Sequence, residues 1–288
     1  MEEPFDRELR RLRRDRAAAA AGDADYLLRH AGEELLERLE GVKREFRRAL
    51  IVGAADPDLA KSLRARGIEV AIADAGGRFA AGGSHGDEDR IAFEQGAFDL
   101  ILSVGVLDSV NDLPGALLLI RRALKPDGLF LGAFAGAGSL PRLRSAMQAA
   151  EEAEGLPASP RIHPQIDLRA AGDLLARAGF TLPVVDGETL TVRYSSLPRL
   201  VSDLRAMGAT NILHTRSRRP LGRVGYAAAI ADFAAAAAPD GKTEERFELV
   251  YLTAWSPAPD QPKPARRGSA TASLAEALKR GGGGERPD

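Results

Sequence analysis

Phe98-Asp99-Leu100-Ile101-Leu102-Ser103-Val104, then Asp112-Leu113-Pro114-Gly115-Ala116-Leu117, then Lys125-Pro126-Asp127-Gly128-Leu129-Phe130, is the stretch that decides the fold. The first run is a strongly apolar strand. Leu113, Ala116, Leu117, Ile120 and Leu124 follow at helical spacing. Lys125-Pro126-Asp127-Gly128 reads as the stop of that helix, and residues 129–134 as the next strand. A strand, a helix and a strand in so short a span form one crossover unit, which places the two strands parallel.

The same alternation extends in both directions. Upstream, residues 49–53 (ALIVG) are a short β-rich run. Asp56-Pro57 starts a helix, with the carboxylate capping free amides and proline in the first turn, where its missing N–H costs nothing. That helix runs to about Arg66 and stops at Gly67. Residues 68–73 are a second strand ending in Asp74, and the Gly-rich residues 76–86 read as a loop. Downstream come a helix over residues 140–154, a Pro-rich loop over 156–164, and a stripe of Leu168, Ala171, Leu174, Leu175 and Ala178 closed by Gly179. Two strand-like runs, 181–185 and 188–194, precede two helices, the first carrying Leu197, Leu200, Val201, Leu204 and Met207. Residues 247–255 (FELVYLTAW) are a final strand with no helix after it, free to enter antiparallel at the edge region of the sheet.

The expected fold is therefore α/β: a doubly wound, mostly parallel sheet with an antiparallel last strand and a helical lid insertion. Residues 1–48 form an N-terminal helical extension, 49–255 the main domain with its lid at about 195–240, and 256–288 a disordered tail with one helical turn near 274–278. In the extension, Leu27, Leu28, Ala31, Leu35, Leu36 and Leu39 make an apolar stripe, and the Arg and Glu around it read as a solvated face. A partner surface at Arg11–Arg16 is the sharper reading of the same charges.

Composition narrows the function. Forty Lys and Arg against 41 Asp and Glu leave a net charge of -1, which calls for neither nucleic acid nor an anionic membrane. Peripheral membrane contact stays open. The absence of cysteine excludes disulfides, thiolate metal sites and a thiol nucleophile. No apolar run reaches the ~20 residues that span a bilayer. The start lacks a signal-peptide pattern, and Glu2, Glu3, Asp6 and Glu8 are out of place in a transit peptide. The expected setting is the bacterial cytoplasm.

In an open parallel sheet a ligand sits beyond the carboxyl ends of the strands, here at Gly53, Asp74 and Ser103-Val104. Dinucleotide binding would want G-x-G-x-x-G after the first strand; G-A-A-D-P supplies one glycine and an acidic cap that repels a pyrophosphate. Asp74 suits a ribose, whose two hydroxyls a carboxylate can accept together; it is also an ordinary turn former.

Beyond these general features, the segments Phe98–Ser103, Val110-Asn111-Asp112-Leu113-Pro114 and Ile120–Phe130 resemble class I S-adenosylmethionine-dependent methyltransferases, of Rossmann-like fold. More narrowly, Phe5-Asp6-Arg7, residues 13–17, residues 167–180, Val192-Arg193-Tyr194 and residues 203–211 resemble the methyltransferase-like group that includes a respiratory complex I assembly factor known as an arginine hydroxylase. Biotin-pathway malonyl-carrier methyltransferases are more distant relatives. The resemblance implies S-adenosylmethionine as cofactor, with Gly53, Ala54, Ala55, Asp74, Ser103 and Val104 around it. It also implies a protein partner, such as a respiratory complex subunit. His163, Tyr194, Arg205 and Asn211 fall in family-like segments over the expected cleft and are the substrate or lid candidates.

The match breaks at the first cofactor motif, D-x-G-x-G-x-G in the family. Ile51, Gly53, Ala55 and Pro57 stand at its fixed positions, so only Gly53 agrees. Pro57 removes a donor, and Asp56 both caps the remaining amides and repels the cofactor's carboxylate. Leu107-Asp108-Ser109 replaces a Leu-His-Trp-like segment. The four histidines have no metal-ligand spacing, so no metal site is expected, and no nucleophile–base pair stands out. Two readings remain: an adenosylmethionine-dependent or hydroxylase-like enzyme acting on a protein side chain, and a non-catalytic assembly factor that kept the fold and lost the cofactor.

Overall fold

The computed structural model describes residues 3–19, 25–53, 56–91, 93–259 and 261. Residues 1–257 form one unit, and 258–288 a second of which only three residues are described, so the tail and its helical turn lie outside the described residues, as do Ala54 and Ala55.

A seven-stranded sheet organises the first unit. Its strands are β1 (Arg48–Val52), β2 (Glu69–Asp74), β3 (Ser84–His85), β4 (Phe98–Val104), β5 (Leu124–Ala135), β6 (Thr181–Tyr194) and β7 (Thr243–Trp255), in the order β3-β2-β1-β4-β5-β7-β6. β1 pairs in parallel with β2 and β4, and β4 with β5. β7 enters antiparallel between β5 and β6. The order reverses between β1 and β4, which opens a crevice at their carboxyl ends.

Helices cover both faces, and the sequence explains why both can be apolar. Leu50, Val52, Ile101 and Phe130 point to one side, where Leu117, Ile120 and Leu175 from α5 (Leu113–Ala123) and α7 (Leu168–Arg177) meet them. Ile51, Leu100, Leu102, Leu129 and Leu131 point to the other, against Leu35 and Leu39 of α2 (Tyr26–Glu40) and Leu59 and Leu63 of α3 (Pro57–Ala65). Alternation along each strand thus feeds two cores. A third cluster joins α6 (Pro141–Ala153), α8 (Leu197–Ala206) and α9 (Arg223–Ala235) through Ala146, Ala150, Leu200, Leu204 and Phe233.

Three local readings are corrected. Residues 76–86 hold a short helix, α4 (Gly77–Ala80), and the edge strand β3, where a loop was expected. Lys125-Pro126-Asp127-Gly128 belongs to β5 rather than to a helix end; proline stops the helix, and the chain runs on extended, held by Asp127 N–H to Ser256 O at 3.1 Å. The two runs 181–185 and 188–194 are one strand, because Asp186 and Gly187 keep their pairing with Tyr251 and Val250. The final strand enters antiparallel in the edge region, as expected, with β6 outside it.

The largest difference concerns the arginine face of α1 (Arg7–Ala19), which was expected to be solvated or free for a partner. Arg10 and Arg14 are buried, and the face turns inward. Arg7, Arg10, Arg11 and Arg14 share one side of the helix by their i, i+3, i+4, i+7 spacing. They meet the acidic turn Asp87-Glu88-Asp89 and Asp74 at the end of β2.

Candidate functional site

The carboxyl ends of β1, β2 and β4 build the crevice. Gly53 follows β1 with φ +85°, and a Cβ there would stand 2.6 Å from the Val104 carbonyl oxygen and 2.7 Å from Val106. Only glycine fits the conformation and the space. Gly105, after β4, has φ +65°, and Leu28 of α2 packs where its Cβ would be. Asp56 caps α3: its Oδ1 accepts from Asp58 N–H at 2.9 Å, and Pro57 occupies the first turn. Burial pushes the Asp56 carboxyl above its usual range.

Asp74 is fully buried and already engaged. Arg14 Nε donates to Oδ1 at 2.7 Å and Arg14 Nη2 to Oδ2 at 2.6 Å, a two-pronged ion pair. Gly76 N–H donates to the same Oδ1 at 2.7 Å. The guanidinium also lies over the Phe79 ring, 5.0 Å from its centroid. One turn earlier on α1, Arg10 grips Glu88 at 2.6 and 3.0 Å and donates to Val106 O and Ser109 Oγ, each at 3.2 Å. Arg7 holds Asp89 at 2.6 and 2.7 Å. The start of the chain is pinned as well: Phe5 N–H donates to Asn111 Oδ1 at 2.8 Å, and Asn111 Nδ2 donates to Phe5 O at 3.0 Å.

A cavity of about 1330 Å³ opens between α1, α2, α6, α8 and the ends of β4 and β5. Its apolar wall includes Leu27, Leu143, Met147, Phe247 and Leu249, while arginines of α1 and α8 and of the segment after α8 line the rest. Asp108, in a single 3-10 turn over Leu107–Ser109, faces this space. Burial raises its carboxyl above the usual range and outweighs the opposing pull of Arg10 and Arg14.

The sequence-derived candidates separate on inspection. Ser103 is fully buried in β4, and its Oγ has no hydrogen-bond partner among the described residues. Val104 is buried beside it. His163, Arg205 and Asn211 do line the cavity. His163 Nε2 accepts from Ile212 N–H at 3.1 Å, so Nδ1 carries the proton, and its ring meets Phe5 edge-on at 5.1 Å. Burial, with Arg13 and Arg10 nearby, pulls its pKa down to about 4. Asn211 is a tie: Nδ2 donates to Pro160 O at 2.8 Å and Oδ1 accepts from Leu213 N–H at 3.0 Å. Tyr194 is corrected: it stands outside the cavity lining, 2% exposed, with its hydroxyl bonded to Tyr26. Being the last residue of β6, it points into the core under α8. Arg10, Arg14 and Asp108 were missed as site residues. The stripe at 7, 10, 11 and 14 was the available signal for the arginines.

Strand order and crevice define the class: a methyltransferase-type α/β sheet. The family model described as "Methyltransferase domain" matches residues 20–183. Among solved structures, the YcgJ protein of Bacillus subtilis superposes with a TM-score of 0.53 at 15% identity, over 80% of this chain and 99% of that one, a likeness of fold. The chain belongs to this methyltransferase-domain family, in the branch that holds the arginine-hydroxylases. It is 33% identical to "Arginine-hydroxylase NDUFAF5, mitochondrial" of Danio rerio, over 96% of this chain and 90% of that protein. With the Homo sapiens protein of the same name it shares 33%, over 94% and 82%. The malonyl-[acyl-carrier protein] O-methyltransferase of Halorhodospira halophila is 30% identical, over 87% and 88%. No helix among the described residues is long and apolar enough to cross a membrane, and none of their side-chain clusters groups three or more His, Cys, Asp or Glu for a metal.

Proposed function

We propose that this chain works on a protein partner, a subunit of respiratory complex I by its family, with its adenosine place held shut by α1 in the form described. The observation that carries the reading is the Arg14–Asp74 pair. In this reading Asp74 is the carboxylate that would grip a ribose, and both its oxygens are taken by Arg14. S-adenosylmethionine is the cofactor the family implies, and with Arg14 seated the residues present do not fit it. Leu28 over Gly105, the Asp56 cap and Pro57 add to the mismatch at the methionine end. No step is therefore routed through the cofactor. Release of α1 would free Asp74, so a cofactor-dependent methyl transfer or hydroxylation and a purely assembling role differ in whether α1 lifts.

A protein partner also suits the size of the cavity, which exceeds the ~300–1,000 Å³ usual for small-molecule sites. The cytoplasm, or the cytoplasmic face of a membrane that holds the complex, is the setting this role needs. The test is deletion of the gene in the source organism, with measurement of assembled complex I and its NADH oxidation in isolated membranes. Loss of the assembled complex, restored by the native gene, is expected. Normal amounts of active complex in the deletion strain would contradict the reading.

A further inference from the structure

We infer that the cavity under α8 is a docking site for an acidic peptide segment carrying apolar residues, an inference that rests on the protein-partner reading above. The evidence is an imbalance of charge in a concave, half-apolar site. Arg13, Arg16, Arg205 and Arg218 line the cavity, and none forms an ion pair among the described residues. Other arginines of the wall are neutralised locally: Arg199 by Asp203 at 3.2 Å, Arg216 by Asp6 at 3.2 Å and Arg161 by Glu151 at 2.7 Å. The acidic residues of the lining are Asp108 and Asp203. Asp203 is already paired.

The unpaired arginines also repel one another. Arg13 is bonded to the Asn211 carbonyl, and burial together with Arg216, Arg16 and Arg205 holds its guanidinium pKa below the usual value. A folded protein carries such a cluster at a cost in stability, which an incoming polyanion relieves. Beneath the cations lie the partly buried Leu140, Leu143 and Met147, so the ligand must present apolar groups as well as negative charge.

Nucleic acid is a poorer match: Phe134 and Phe247, the aromatic rings of the wall other than His163, are 3% exposed and offer no platform for stacking bases. An anionic bilayer is a poorer match too. The exposed large hydrophobics, Leu12, Leu118, Leu168, Leu182, Val184, Val224 and Tyr226, all lie outside the cavity lining, and a lone Leu12 beside Arg13 on α1 is too little apolar surface to anchor in lipid. A peptide of alternating Glu and Leu character satisfies both walls.

The experiment uses the full chain and a fluorescein-labelled peptide of repeated Glu-Glu-Leu, followed by anisotropy at low and at high salt. Binding is expected to weaken steeply with salt. It should fall at least tenfold in the Arg205→Ala/Arg218→Ala variant, whose side chains are exposed and form no hydrogen bond or ion pair among the described residues, with no fall in the thermal midpoint. Replacing Leu by Gly in the peptide should weaken it, and replacing Glu by Lys should abolish it. Equal binding of the Lys peptide, no effect of the arginine substitutions, or tighter arginine-dependent binding of oligothymidine or phosphatidylglycerol vesicles overturns the proposal. A photo-reactive residue placed at Ser202, which lines the cavity, separates this failure from failure of the protein-partner reading. Adducts in cells mapping to acidic segments are expected; adducts on segments without acidic residues overturn the docking chemistry alone, whereas no protein adduct at all overturns both.

Discussion

Replacing Arg14 by Met removes one half of an ion pair whose partners are 5% and 0% exposed. Leaving a buried charge without its partner costs about 3–5 kcal/mol. Here the lower end applies, because Gly76 N–H still donates to Asp74 at 2.7 Å and α1 can tilt to admit water. Arg14→Met should therefore lose about 3 kcal/mol, a drop in midpoint of roughly 6–12 °C for a domain of this size. Asp74→Asn leaves the arginine charge buried and should lose about 2–3 kcal/mol. The double variant carries neither charge, keeps an acceptor for Gly76, and should lose only about 1–2 kcal/mol. The two losses then fail to add by about 3–5 kcal/mol, well beyond the ~0.5 kcal/mol scatter of independent sites. Urea denaturation of the four proteins, followed by circular dichroism, measures this cycle. Additive losses would refute the reasoning, since α1 would then not be seated on the sheet in solution.

Other consequences follow from single contacts. His163 has its pKa lowered to about 4, so the unfolded chain takes up a proton near pH 6.5 that the folded chain refuses. Stability should fall between about pH 6.5 and 4, by up to ~3 kcal/mol, and the native-minus-His163→Gln difference in urea midpoint between pH 7.5 and 4.5 isolates it; a difference that does not change with pH would contradict this. Gly53→Ala meets both a positive φ and a contact of 2.6 Å, so a loss of at least ~2 kcal/mol is expected, and a loss below ~0.5 kcal/mol would disprove the close approach. Glu245 is fully buried in β7 and caps α6, accepting from Arg142 N–H at 3.2 Å and Leu143 N–H at 2.8 Å. Glu245→Ala should cost about 1–3 kcal/mol and raise amide exchange in the first turn of α6; unchanged exchange there argues against the cap.

The sheet was legible because parallel strands buried on both faces are continuous apolar runs, as in residues 49–52 and 98–104, and because Asp56-Pro57 marks a helix start without reference to anything distant. Asp74 could be placed at a strand end for the same reason. Where local chemistry misled, a neighbour overrode it: Asp186-Gly187 looks like a turn, but pairing with β7 keeps it extended. The role of α1 was the least legible part. Arg14 and Asp74 are 60 residues apart, and Arg10 and Glu88 are 78 apart. Charged residues beside an apolar stripe ordinarily face water, and spacing shows only that Arg7, Arg10, Arg11 and Arg14 share a side. That the opposite wall is Asp87-Glu88-Asp89 depends on which strand ends α1 crosses. His163 and Asn211 illustrate the same limit: their segments could be recognised, but the bonds of His163 to Ile212 N–H and of Asn211 to Pro160 O come from tertiary folding.

The central claim, that α1 occupies the adenosine place through Arg14, is tested most directly by calorimetric titration of S-adenosylmethionine into the native chain, Arg14→Met, and Arg14→Met/Asp74→Asn. Closure held by roughly 1.4–2.8 kcal/mol weakens native binding about 10- to 100-fold. Arg14→Met should bind tighter than the native chain by that factor, and the added Asp74→Asn should abolish the gain. Low-micromolar binding by the native chain that Arg14→Met leaves unchanged would contradict the account.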